Sequence, residues 1–459
     1  MPKRYHVPIA PAPARFRPVG KYGTVDWRED CSRCRNCVKT QCVYGVYRTE
    51  HAHNTDPSSP VEPLFDCRAC LSCVQGCTKG LLSLSVNPEH LALGDDHWRP
   101  DIIATTWEQA DTGRIPVSGA GYRGPFQGPG FDSIWTDMSE IVRPTRDGIH
   151  GREYINTSVD VGPKPTHLVF GSNGEAPEAE PLLELPIPVI LDVPPWDSLG
   201  EAVTQARVAA AAALGTLSIV RPDDAAVAAS NNASSLVPLL EGPRPAGYES
   251  LLQRVRMVEI AEGPDILSRG EEVRAINAGL VVCARVPLAP DAIERVWALY
   301  QRGIKVIHLC ADTHGREIGT ERPRYVKDVL REIHGRLVHE GVRDEVTLIL
   351  SGGIALPEHV AKAIICGADL VAVGLPLMIA LGCRLCPSGH QEWCPAGIQD
   401  VDASYAAQRM VNLMGAWHSQ LIEVLGAMGI REIRRLRGEV GRAMFQEDLE
   451  REAFGDLGN

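Results

Sequence analysis

VTLILSGGIALPEHVAKAIICGADLVAVGLPLMIALGCRLCPSGHQEWCPAGI, residues Val346–Ile398, is the stretch whose reading decides the fold. VTLIL, at 346–350, is apolar without polar alternation, the pattern of a strand covered on both faces. Ser351-Gly352-Gly353 follows at its C-terminal end, then a helical run, Pro357–Cys366, then a second apolar strand, Asp369–Val373, ending at Gly374. In an (α/β)8 barrel the loops after the last two strands commonly turn backbone N–H groups toward a phosphate. Ser351, Gly352, Gly353, Val373 and Gly374 are therefore candidate phosphate-binding residues, and the phosphate of FMN suits such a turn. A lone Ser-Gly-Gly suits a ligand-free tight turn equally well.

Working back from this unit, apolar strands fall near 189–193 (VILDV), 217–220, 236–240, 257–260 (MVEI), 280–286 and 305–310 (KVIHLC), with the last two at 346–350 and 369–373. Helical segments separate most of them, among them 200–214, 292–302 and 323–340. Strand and helix in alternation predict a parallel (β/α)8 TIM barrel. The competing doubly wound sheet lacks the Gly-x-Gly-x-x-Gly expected after its first strand.

Cysteines carry the second message. Cys31, Cys34, Cys37 and Cys42 form one run, and Cys67, Cys70, Cys73 and Cys77 another. The second run has bacterial ferredoxin spacing, with Thr78 where proline usually stands, and the first has one extra residue before its last cysteine. In two-cluster ferredoxins the fourth ligand comes from the other run. That rule assigns Cys31, Cys34, Cys37 and Cys77 to one [4Fe-4S] cluster, and Cys67, Cys70, Cys73 and Cys42 to another. Zinc is the competing metal, since Cys-x2-Cys pairs also bind it. His51 and His53, in the polar linker between the runs, read as solvated. Cys383, Cys386 and Cys394 form a third group, in the loop after the last strand.

Bulk properties narrow the field. The chain has 459 residues and 14 cysteines, room for a large barrel plus a small metal-binding module. A net charge of −12 argues against a nucleic-acid partner. No run of about 18 apolar residues is present, so no membrane-spanning helix is expected. The basic N-terminus lacks the apolar core of a signal peptide, and a cytoplasmic location is expected. The divisions are 1–84, an extended arm and 2[4Fe-4S] ferredoxin-like module; 85–185, an irregular connecting segment packed on the barrel; 186–400, the barrel with its cysteine loop; and 401–459, C-terminal helices.

LILSGGI, ADLVAVGLPLMIALGC and CPAGIQ resemble the FMN-binding synthase domain of the glutamate synthases. The segments IVRPTRDGIHGREYINTSVDVG and Leu425–Glu439 resemble the archaeal-type members, which carry a ferredoxin insert. The resemblance implies FMN in the barrel and a third iron–sulfur cluster, of the [3Fe-4S] kind, held by the final loop. Cys383 and Cys394 stand 11 positions apart, as the family's first and third ligands do. The family's middle ligand would fall at Gly389; here Cys386 is present instead. A [4Fe-4S] cluster would need a remote fourth ligand such as Cys310 or Cys366.

The loops after the strands depart further. Pro194-Pro195-Trp196-Asp197-Ser198 replaces the family's Met-Ser-Phe-Gly-Ala, Arg221-Pro222-Asp223-Asp224 a glycine-rich loop, and Glu262-Gly263-Pro264-Asp265 Gln-Gly-Ala-Lys-Pro-Gly. Thr313-His314-Gly315-Arg316 replaces Gly-Gly-Thr-Gly, and Arg285 stands at the position of the family's lysine. Arg285 reads either as a bidentate holder of a substrate carboxylate or as one side of an ion pair across the barrel mouth. His314 is the candidate proton donor, with Asp312 and Glu317 as candidates to orient it. Arg143, Arg146 and Arg152 read as solvated.

Two functions follow as expectations. The first is an electron-transfer oxidoreductase subunit linking [4Fe-4S] clusters and FMN. Its partners would be other redox subunits of a multi-subunit complex, or a ferredoxin or NAD(P)H-oxidising flavoprotein. The second is a ferredoxin-fed synthase making glutamate from 2-oxoglutarate and ammonia. A flavin-free scaffold that docks the clusters is the third, structural reading.

Overall fold

The computed structural model describes residues 5–455 apart from 16–18, 20–22, 33, 35, 44, 46–69, 116–125, 137–154, 166–169, 171, 175–179, 197–198, 222–223, 225–230, 243–247 and 387–395. The linker histidines His51 and His53 and the arginines Arg143, Arg146 and Arg152 lie outside the described residues.

Near the N-terminus, β1 (Gly23–Trp27) pairs antiparallel with β2 (Leu82–Val86), Gly23 opposite Val86 and Trp27 opposite Leu82. The two cysteine runs lie between these strands. Cys37, Cys42, Cys73 and Leu82 form a small core of their own, with Cys77 packed against it.

Three short strands come next, β3 (Ile134–Thr136), β4 (Val159–Val161) and β5 (Leu183–Leu185). β4 pairs with β5, and β3 with β14 (Ala443–Phe445) near the C-terminus. The connecting segment, read as irregular, also holds a 13-residue helix, Pro100–Thr112. Pro100 fixes its first turn, Gly113 ends it in the left-handed region, and Ile102, Ile103, Thr106, Trp107 and Ala110 form its buried stripe.

The barrel strands are β6 (Val189–Leu191), β7 (Ser218–Val220), β8 (Leu236–Leu240), β9 (Met257–Ala261), β10 (Val281–Pro287), β11 (Val306–Cys310), β12 (Thr347–Ser351) and β13 (Leu370–Val373). They form a closed parallel barrel in chain order, with β13 returning to β6 through Val371–Val189 and Val373–Leu191. All eight fall where the apolar runs placed them. Nearly every strand residue is buried, because helices cover the outside and side chains fill the inside.

The helical ring extends beyond residue 400. Ala403–Ala427, 25 residues long and capped by Asp402 through the Tyr405 N–H (2.8 Å), packs between the helices Glu201–Leu214 and Pro357–Ile365. It is thus the eighth helix of the barrel rather than an appendage. The N-terminal arm lies on it and on the end of the helix Glu201–Leu214: Asn412 exchanges two hydrogen bonds with the Ala10 backbone (3.1 and 2.7 Å), and the Tyr5 hydroxyl donates to the Leu214 carbonyl at 2.7 Å. No helix among the described residues is long and apolar enough to cross a membrane.

Candidate functional site

A cavity of about 240 Å³ opens at the C-terminal ends of the barrel strands. Ser351, Gly352, Gly353, Val373 and Gly374 all line it. A Cβ on Gly352 would stand 2.4 Å from the Asp312 carbonyl oxygen, one on Gly353 2.5 Å from the Gly315 Cα, and one on Gly374 2.5 Å from the Val193 carbonyl oxygen. Two neighbouring loops, those after β11 and β6, therefore press on these glycines, and φ of +98° and +68° at Gly352 and Gly353 is a second reason for their identity. Among the described residues, the N–H groups of Gly352, Gly353 and Gly374 have no acceptor. Those donors fit a phosphate, and the arrangement suits FMN on the physics of the turn alone.

The floor of the cavity is charged. Arg285, on β10, grips Asp192 at the end of β6 through two nitrogens (3.1 and 3.2 Å) and reaches Glu259 on β9 at 3.2 Å. His308, on β11, places Nδ1 2.6 Å from the same Glu259 oxygen. Burial would raise the Asp192 carboxyl, but Arg285, and then His308, hold it below the usual carboxylate range. Burial also works against the His308 imidazolium, yet Cys310 and Glu259 raise it from 6.5 to about 10. The ion pair across the barrel mouth is thus the arrangement Arg285 adopts: its fork is occupied by protein carboxylates. Cys310 lines the cavity beside it.

His314 does not line the cavity. Its Nε2 meets Asp95 Oδ2 at 3.0 Å on the half-exposed outer side of the loop. Asp312 accepts the backbone N–H groups of His314 and Arg316, and Glu317 pairs with Arg324, so neither orients the His314 ring.

Residues 94–98 tie three parts of the site together. The Trp98 indole, a wall of the cavity, donates to the Thr313 carbonyl at 2.8 Å, and His97 Nε2 lies 3.1 Å from the Gly353 carbonyl oxygen. The Gly94 N–H donates to the Arg384 carbonyl, next to Cys383, at 3.1 Å. This strap begins eight residues after β2 ends at Val86, so it joins the exit of the cysteine-rich module, the glycine turn and the final cysteine loop.

Of the candidate metal ligands, Cys67 and Cys394 lie outside the described residues. Cys37, Cys42 and Cys73 are buried, Cys31 and Cys77 are half-buried, and Cys34 and Cys70 are exposed. Both runs contribute to the small core, as interleaved ligand sets require. Leu81 sends its N–H to Cys77 Sγ (3.4 Å), and this with neighbouring backbone N–H groups lowers the thiol's pKa, favouring the thiolate that iron binds. Cys383 is buried and Cys386 half-buried in the final loop. Cys366 is sealed in the core, where burial pushes its thiol up to about 12.

Sequence reasoning passed over Asp192, Glu259, His308 and Trp98. The first three carried a signal: Asp192 and Glu259 are each the one charged residue within an apolar strand segment, VILDV and MVEI, and His308 stands in the middle of another, KVIHLC. A buried charge in such a run needs a partner: Asp192 and Glu259 share Arg285, and His308 pairs with Glu259. Trp98 carried none, because its place depends on the strap.

The conserved region in glutamate synthase matches residues 326–431, which span the glycine turn and the final cysteine loop. The chain is 24% identical over 479 residues to the archaeal-type glutamate synthase [NADPH] of Dehalococcoides mccartyi, covering 90% of this chain and 93% of that one. It is 25% identical over 506 residues to the archaeal glutamate synthase [NADPH] of Archaeoglobus fulgidus, covering 95% and 96%. A similar protein of Methanocaldococcus jannaschii reaches 38% identity over 125 residues, 26% of this chain.

Proposed function

This chain is glutamate synthase-related, and from that premise we propose that it is an iron–sulfur flavoprotein serving as an electron-transfer oxidoreductase subunit of a larger complex. The observation that carries the reading is the 94–98 strap, which follows the cysteine-rich module in the chain and is hydrogen-bonded to the cavity at Gly353 and Thr313 and to the loop of Cys383 and Cys386 at Arg384. Cys31, Cys34, Cys37 and Cys77 would hold one [4Fe-4S] cluster, and Cys67, Cys70, Cys73 and Cys42 the other. Cys383, Cys386 and Cys394 would hold a third. Ser351, Gly352, Gly353, Val373 and Gly374 would hold the FMN phosphate. Clusters exchange single electrons and a flavin one or two, so together they connect one-electron to two-electron partners. Partner redox subunits, or a ferredoxin or NAD(P)H-oxidising flavoprotein, would supply the electrons.

The alternative, glutamate synthesis from 2-oxoglutarate and ammonia, is favoured by the length of the match to the archaeal-type enzymes. Against it stands Arg285, which replaces a lysine of the family and whose fork is filled by Asp192 and Glu259. A substrate dicarboxylate would have to compete with those two protein carboxylates for the guanidinium.

Protein purified without oxygen and assayed for flavin, iron and sulfide tests the reading. One FMN and about 11 irons per chain are expected for two [4Fe-4S] clusters and one [3Fe-4S] cluster. Dithionite reduction followed by 2-oxoglutarate and ammonia should give no glutamate. Glutamate formation would establish the synthase instead, and about eight irons without flavin would reduce the barrel to a scaffold.

A further inference from the structure

A second cavity, of about 230 Å³, shares Val193, Pro194 and Arg221 with the first and lies against the start of the helix Glu201–Leu214. Part of its wall is Arg207, on the second turn of that helix. Arg207 is only 2% exposed. Its Nη1 donates to the carbonyls of Asp192 and Ile219, both at 2.8 Å. Among the described residues its Nε is buried without an acceptor, and no carboxylate lies in ion-pairing distance of it. Asp192 is paired with Arg285; Glu201 and Asp224 line the cavity too, hydrogen-bonded to Gln205 (2.8 Å) and the Thr204 hydroxyl (2.6 Å), and Arg221 adds a second cation to the lining.

A buried guanidinium ordinarily meets a carboxylate or a phosphate, because carbonyl oxygens answer its hydrogen bonds but not its charge. Burial lowers Arg207 to about 10 in spite of Asp192 and Asp224, so the attraction supplied by the protein falls short of the desolvation. The helix N-terminus adds its partial positive charge from the same side. Its N-cap, Gly200, offers no side-chain acceptor to the first-turn N–H groups, and the 14-residue helix is long enough for a full end charge. Trp196 and Leu199 supply apolar wall.

We propose that this cavity binds the oxyanion end, carboxylate or phosphate, of a small organic ligand, with Arg207 as its counter-charge and Trp196 and Leu199 against its body. The site is separate from the glycine turn and does not depend on flavin.

Full-length holoprotein, exchanged into chloride buffer free of oxyanions, is titrated calorimetrically with orthophosphate and separately with succinate. One saturable site per chain for at least one of them is expected. Phosphate alone would identify a phosphorylated ligand, and succinate alone a carboxylic acid. Arg207→Gln should weaken binding at least tenfold, and so should Leu199→Trp, which fills the cavity and leaves the guanidinium in place. Phosphate held at the glycine turn would be indifferent to Leu199→Trp. Should Arg207→Gln fail to fold, Leu199→Trp decides alone. No saturable binding of either anion, or unchanged affinity in Leu199→Trp, overturns the proposal.

Discussion

Arg285 gives its fork to Asp192 and Glu259, and His308 shares the Glu259 carboxylate, so four side chains from four strands hold one another's charges inside the barrel. Removing one member leaves its buried neighbour short of a counter-charge. Asp192→Ala is expected to cost about 3–5 kcal/mol, measured by denaturant unfolding. His308 adds a pH dependence. Its folded pKa, about 10, lies above the 6.5 of the free side chain. Its contribution is therefore complete below pH 6.5 and fades as the pH rises toward 10. A His308→Gln variant, compared with the parent between pH 6.5 and 10, should show a flatter loss of stability; parallel curves would remove His308 from the account. His314 is the contrasting case. Its pairing with Asp95 is half-exposed, so His314→Ala should change stability by less than about 1 kcal/mol and leave flavin content as it was.

Among the elements, the turn after β12 is the most constrained. Gly353→Ala would place a methyl group against the Gly315 backbone at φ +68°, where the left-handed conformation alone costs an L-residue about 1–2 kcal/mol. The expected outcome is a lower melting temperature together with loss of flavin from the purified protein; a variant that keeps full flavin would refute the phosphate assignment. This turn was legible in the sequence because glycines at a strand's C-terminal end carry a local geometric meaning. The strand positions were legible for a related reason: eight apolar runs such as VTLIL announce strands buried on both faces. The helix Pro100–Thr112 was harder to see, its apolar stripe being interrupted by Thr106 and Gln109, which are buried with it. What joins these elements was not legible at all. The grip of Arg285 on Asp192 spans 93 positions and the Trp98–Thr313 bond 215, and nothing local encodes either.

At the scale of the whole molecule, the N-terminal arm, the helix Pro100–Thr112 and the long helix Ala403–Ala427 are bound into one layer on the barrel. Asn412 is the knot, fully buried and bonded to the backbones of Ala10 and Ala110. Truncation of residues 1–15 would remove part of what satisfies it and should destabilise the barrel by about 1–3 kcal/mol, detectable as earlier thermal unfolding with the cysteine-rich module otherwise intact.

That knot also sets a clock. Ala10 and Asn412 are 402 residues apart, and a ribosome adding about 5–20 residues per second needs roughly 20–80 s to make the second after the first. Throughout that interval the arm has no helix to dock on, and for most of it both N-terminal cysteine runs have already been made. A cell making this protein therefore has a window in which these thiols are accessible to iron–sulfur delivery before the arm is fastened, and to oxygen as well.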